Sequence, residues 1–373
     1  MSVKSLISVA GLAAVTGLGA SVASAQVTIE FRTVGNAGNA GDPVTFGNGT
    51  VAYEYRIGTF EVTNAQYAEF LNAVAASDPR GLFNANMGTN PRGGITRSGT
   101  DGSFTYSVRP NMGNKPVNFV NFFDAARMAN WLTNGQGSGG TESGVYTLNG
   151  NTLVAITRNL SNPNQVFLPT NHEWYKAAYH QPASLGGDTD NYWGFATQSN
   201  IVPAVATATT TGDIANPGPN VVNYDVGCDW NGQNGNVTTV GSAGAASFYG
   251  AFDMSGNVWE WNEDGFFVGD KLQRGGSFFN NARFGIGSNF WASGSPAIEQ
   301  VDTGFRFASP ALTPPCRADF NGDGVLDFFD YDEFVACYEG VVCPPGKTAD
   351  VNGDGFVDFF DYDTFVGEFE VGC

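Results

Sequence analysis

Fourteen acidic side chains crowd the last 58 residues of this chain, and their spacing repeats. Oxygen-bearing side chains stand at positions 1, 3, 5, 9 and 12 of a twelve-residue stretch: Asp319, Asn321, Asp323, Asp327 and Asp330. Thirty-one residues later the order returns as Asp350, Asn352, Asp354, Asp358 and Asp361. Gly324 and Gly355 occupy position 6, where the chain must turn sharply, and position 7 lends only its carbonyl, from Val325 or Phe356. Calcium takes several oxygens at once, and carboxylates gathered this closely repel one another unless a cation joins them. A merely solvated acidic run does not predict two copies of one ligand order. Two calcium ions are therefore expected in this tail. Position 8 is apolar (Leu326, Val357), which suits packing beneath each loop.

Charge and cysteine follow the same division. From Cys316 onward only Arg317 and Lys347 oppose the acids, a net of −12, while −7 is spread over everything upstream. Such an acidic chain repels phosphate, so nucleic acid is excluded as a partner. Four of the five cysteines lie in the tail (Cys316, Cys337, Cys343, Cys373), the pattern of a small exported module short of core. Three pairings are possible, and sequence does not choose among them. The pairing expected is Cys337 with Cys343 and Cys316 with Cys373, with Cys228 left over. Residues 1–25 read as a secretory signal: Lys4 leads, Leu6 to Val22 is apolar and small, and cleavage falls near Ala25. The expected destination is secreted, periplasmic or cell-surface. No later stretch is apolar for the ~18 residues a transmembrane segment needs.

Residues 26–310 form a larger domain, joined by a linker at 311–315 to the tail module at 316–373. Its 50-glycine chain, rich in Asn and Thr, suits short elements set in irregular loops. Thr63 and Gln66 make a capping box that opens a helix carrying Tyr67, Phe70, Leu71 and Val74 on one face. A second amphipathic helix runs from Asp124 to Leu132, and Thr170 with Glu173 caps a third. The fold class is α+β with few long elements. Six segments stand in order: VTNAQYAEF, KPVNFVNFFDAARMANWL, LPTNHEWYKAA, DMSGNVWEW, RGGSF and GFRFA. Together, from about Val51 to Ala308, they resemble the sulfatase-modifying-factor family, whose namesake is the formylglycine-generating enzyme. The tail, from Asp319 to Phe369, resembles the small α-helical dockerin modules of bacterial secreted proteins.

These resemblances imply a formylglycine-generating-enzyme fold, a compact relative of the C-type-lectin fold with little regular structure, whose loops present a ligand groove lined by residues 279–289. They also imply two copper-binding cysteines just after RGGS, where this chain has Asn280 and Gly285. Neither residue can form a thiolate, so copper is not expected. The family's iron enzymes need a histidine cluster, but His172 and His180 are two helical turns apart, too far for one metal. A family calcium site maps onto Asp253, the carbonyls of Gly256 and Val258, and Glu260, and a second onto Asn223 and the Tyr224 carbonyl. One or two more calcium ions are thus expected in the large domain. Tail modules of this kind plug into cohesin-like partners, although Tyr331, Asp332, Tyr362 and Asp363 depart from the usual small polar contact pair. The leading expectation is a secreted calcium-binding protein with a non-oxidising domain for binding or scaffolding, docked by its tail to a cohesin-like or cell-surface partner. The alternative is a formylglycine-generating-type oxidase or another enzyme of the family.

Overall fold

The computed structural model describes residues 26–150, 156–160, 165–265, 269–281, 285–311, 317–322, 326–344 and 347–371. The expected leader, residues 312–315 of the linker, the ligand positions Asp323 and Val325, and Cys316 and Cys373 lie outside the described residues.

Helix α1 (Asn64–Val74) opens with the expected box, the Thr63 hydroxyl accepting from the Gln66 amide while the Gln66 side chain accepts from Thr63. Its Tyr67, Phe70 and Leu71 are buried. A single turn, α2 (Asn86–Thr89), leads to the hairpin β3 (Ile95–Ser98) and β4 (Thr105–Val108). Helix α3 (Phe122–Thr133) starts earlier than Asp124, because Asn121 and Asp124 form a capping box of their own. Helix α4 (Asn171–Tyr179) carries the expected Thr170–Glu173 box. Phe70 packs on Trp131 of α3 at 5.3 Å between ring centres, and Tyr67 meets Phe305 edge-on. Helix α1 thereby joins the second helix and the GFRF segment to one core.

Two sheets frame this core. Strands β1 (Phe31–Val34), β2 (Tyr55–Gly58) and β11 (Ala308–Pro310) form an antiparallel sheet with β2 in the centre. The second sheet has the order β10 (Thr303–Gly304), β7 (Trp259–Trp261), β8 (Lys271–Arg274), β9 (Ala292–Gly294), with β10 parallel to β7. Strand β7 is buried on both faces, and Glu260 on it pairs in register with Arg274. Short parallel strands β5 (Ala204–Val205) and β6 (Val221–Val222) complete the set. The content is α+β, as the residues foretold.

The tail has its own core of Ala318, Phe320, Phe334, Cys337, Ala349 and Phe365. Its helices α5 (Phe328–Tyr338) and α6 (Phe359–Val371) pack repeat on repeat. Phe334 stacks on Phe365 at 3.8 Å, and the Tyr331 and Tyr362 hydroxyls meet at 2.9 Å, each residue facing its counterpart 31 positions on. Both tyrosines thus join the repeats to each other. Leu326 packs on this core, whereas its counterpart Val357 is half exposed. Cys337 and Cys343 are bonded, tying the end of α5 to the turn after it. Among the described residues no helix is long and apolar enough to cross a membrane.

Candidate functional site

Both tail loops close by the same bonds. Asp319 accepts from the Gly322 amide and Asp350 from the Gly353 amide, each at 2.8 Å. In the second loop Asp350 also takes the amides of Asp354 and Gly355, at 3.1 and 2.9 Å, so one carboxylate shapes the whole turn. Asn352 and Asp354 follow it, accepting from Asp354 and Phe356. Position 12 behaves differently from a free chelating arm. Asp330 accepts from Asn321 and Asp327, and Asp361 from Asn352 and Asp358, so both oxygens of each buried carboxylate serve backbone amides. Burial pushes Asp361 up, but these donors outweigh it and hold the group below the usual carboxylate range. Asp327 and Asp358 cap the following helices through the Phe329 and Phe360 amides. Phe356, the carbonyl position, is exposed. Among the described residues no three His, Cys, Asp or Glu side chains converge on one point.

The large-domain set has a different centre. Gly256 sits at φ 81°, and a Cβ there would lie 2.3 Å from the Asn223 carbonyl, so only glycine allows this crossing. Glu260 is fully buried, but its oxygens receive Arg306 at 2.6 and 2.7 Å and the Trp174 indole at 2.7 Å. It is thus a partner of arginine first. Asp253 accepts from the Gly241 amide, and burial pushes it up to about 6. Sequence reasoning missed Glu61. This buried carboxyl is raised well above its ordinary range, by burial and then by Asp253 and Glu260 nearby. One of its oxygens accepts from Asn257 at 3.2 Å, and the other has no partner among the described residues. Asn223 donates to the Asn236 carbonyl, Thr238 and Asn257, leaving its own oxygen without a donor, while the Tyr224 carbonyl accepts from Gly227. Buried acceptors lacking donors beside surplus carboxylates suit a hard cation. Of this set Glu61 and Asn223 each keep an oxygen without a donor, whereas both oxygens of Glu260 are taken, and the carboxylates form no three-membered metal group among the described residues.

The groove positions are brought together. A Cβ built on Gly285 lies 2.6 Å from the Asn280 Cβ, so these two sites touch. Their chemistry is structural. The Asn280 side-chain oxygen accepts from the Ser277 amide at 2.8 Å and its hydroxyl at 2.9 Å, capping the turn after RGGS. Gly285 sits at φ 147°, where a side chain is strained. Of the segment expected to line the groove, 279–289, residues 282–284 lie outside the described residues; Phe279 is exposed under the Arg92 guanidinium. Cys228 is buried, and burial with Asp229 nearby pushes its thiol up to about 12, which leaves it inert. One amide, a glycine and no thiolate do not fit copper.

His172 is exposed, whereas His180 is buried and shares a hydrogen bond of 2.7 Å with the Tyr249 hydroxyl. The two face different surroundings and form no common site. Burial, then Lys176, lowers His180 from 6.5 to about 4. A base whose folded value is depressed supports folding above its unfolded value and loses that support as pH falls. The stability gap between the native chain and His180→Gln should therefore narrow from pH 6.5 down to pH 4, read by urea unfolding at each pH.

The chain is 29% identical over 220 residues to the hercynine oxygenase of Mycolicibacterium smegmatis, a match spanning 56% of this chain and 36% of that protein. The chain thus spans little more than a third of that relative's length. Among solved structures, CarF aligns at 21% identity and TM-score 0.45, covering 76% of this chain and 98% of its own. Treponema denticola variable protein 1 aligns at 18% and 0.44, covering 77% and 97%. The model of the sulfatase-modifying factor enzyme 1-like domain matches residues 32–311, which takes in both sheets, the touching groove positions and the buried carboxylates, and the chain belongs to that family.

Proposed function

We propose that this chain is an exported calcium-binding protein whose family domain binds or scaffolds rather than oxidises, and which docks through its dockerin-like tail. The observation that carries the reading is the pair of touching groove positions, filled by a turn-capping Asn280 and by Gly285, whose backbone conformation would strain any side chain. Neither residue carries sulfur, and the closeness of the two positions leaves no room for a side chain at Gly285 beside Asn280. Calcium then serves stability: two ions in the repeated tail loops, and one or two among Asp253, Glu61, Asn223 and the neighbouring carbonyls. The tail partner is a cohesin-like or cell-surface protein, and residues 1–25 direct export and are then removed near Ala25.

The match to an oxygenase favours a second reading, that the domain performs other chemistry within its enzyme family. One assay tests the oxidase form of that second reading. The purified full chain, loaded with copper(I) and given a cysteine-containing sulfatase peptide, should consume no oxygen above the level set by free copper. Turnover dependent on the protein would overturn the binding reading.

A further inference from the structure

A polar hollow of about 250 Å³ belongs neither to the groove nor to the carboxylate cluster. Its walls are the turn carrying Asn111, Asn114 and Lys115, and the loop groups Thr211, Asp213 and Thr239. The turn is rigidly held. Asn64 at the start of α1 donates to the carbonyls of Met112, Lys115 and Pro116, and the Ala65 amide donates to Gly113. Lys115 is buried and lies over the Trp230 ring at 5.0 Å, its ammonium donating to the Thr211 carbonyl at 2.8 Å and the Thr239 hydroxyl at 2.7 Å. Asp213 stands 4.0 Å from that ammonium, with its side chain half exposed, and accepts from the hydroxyls of Thr239 and Thr211 at 2.6 and 2.9 Å.

The charges cancel locally, and that restricts the occupant. A metal ion would meet the Lys115 ammonium, and an anion would meet the Asp213 carboxylate. No apolar side chain lines the wall, so an apolar ligand gains nothing by entering. What remains are carboxylate acceptors with spare lone pairs, hydroxyls, and the amides of exposed Asn111 and Asn114, which have no hydrogen-bond partner among the described residues. Amides offer a donor and an acceptor side by side, and the carboxylate offers two acceptors. Adjacent hydroxyls on a ring present the matching set. The hollow lies below the usual volume range of about 300–1,000 Å³ for drug-sized ligands, which suits a single small ring.

We propose that this hollow binds a neutral polyhydroxylated ligand of the size of one sugar ring, with Asp213 accepting from neighbouring hydroxyls and Asn111 and Asn114 completing the contact. The full chain is titrated with glucose, galactose, mannose, N-acetylglucosamine and myo-inositol by saturation-transfer NMR, and separately with phosphate and calcium chloride. At least one polyol should saturate. Asp213→Asn should weaken it by about tenfold or more, since a hydrogen bond to a charged group is lost. Asn114→Ala, which changes an exposed side chain, should weaken it several-fold without altering the melting curve. No saturation by any of the five, affinity unchanged in both variants, or displacement of the polyol by phosphate would each overturn the assignment.

Discussion

Arg306→Met should cost the large domain about 3–5 kcal/mol of unfolding free energy at pH 7. The guanidinium is fully buried and grips Glu260 with two nitrogens, while its remaining donors reach the carbonyls of Gly58 and Phe252. Glu61 and Asp253 lie in its field as well. Methionine replaces the bulk and removes the only cation in that cluster among the described residues. Against a typical total stability of about 5–15 kcal/mol, the loss is severe. Two controls identify the cause as stranded charge. Changing both partners, Arg306→Met with Glu260→Met, should cost less than the single substitution, because the Glu260 charge is no longer stranded. Unpaired buried carboxyls also hold raised folded values, so the folded variant binds extra protons and the deficit should shrink from pH 7 toward pH 5. Urea unfolding at both pH values measures each point. A single variant as stable as the native chain would show that the cluster is neutralised by something other than Arg306.

What could be read from the chain was what is local in it. The Thr63–Gln66 and Thr170–Glu173 boxes are complete within four residues, so cap chemistry fixed both helix starts. The Asn121–Asp124 box was equally local, but the start was placed on its second member instead of its first. The calcium order of the tail is likewise written in consecutive residues. The carboxylate cluster is not. Asn257, the donor to Glu61, stands 196 positions away from it, and no spacing rule spans that distance. Asp253 and Glu260, seven residues apart, suggested one ion with both as ligands. Arg306, 46 positions beyond Glu260, instead brings a permanent charge to one of the pair. The arginine of the GFRF segment was visible throughout, but its partner was set only by the pairing of β10 with β7. The mutual contact of Tyr331 and Tyr362 was hidden for a related reason: repeats in sequence do not announce which faces of the two copies meet.

Calcium should bind the tail with two ions and raise its unfolding temperature, and chelation should melt it first. At a free concentration one hundred times the dissociation constant, each ion adds about 2.7 kcal/mol to whatever it holds folded. The module needs that help. Among the described residues its buried apolar core is six side chains, and its loops gather Asp319, Asp327 and Asp330 in one copy and Asp350, Asp354, Asp358 and Asp361 in the other. Asp350 and Asp361 also accept from loop amides, so the turn has bonds of its own to which the ion adds. Asp350→Ala removes the acceptor of three amides and one ligand together, and should abolish one ion; Asp319→Ala should abolish the other. In the double variant any remaining calcium-dependent shift belongs to the Asp253, Glu61 and Asn223 region, so the two sets of sites are counted separately. Mass spectrometry of the intact full chain gives the ion count, and tyrosine fluorescence excited in Trp-free tail fragments released by proteolysis follows the Tyr331–Tyr362 contact. Partner capture by the tail should fail in chelator and return with calcium. Equal melting of the full chain in calcium and in chelator, with no ion retained, would remove the metal from this protein's fold and leave the repeated acids as a solvated surface.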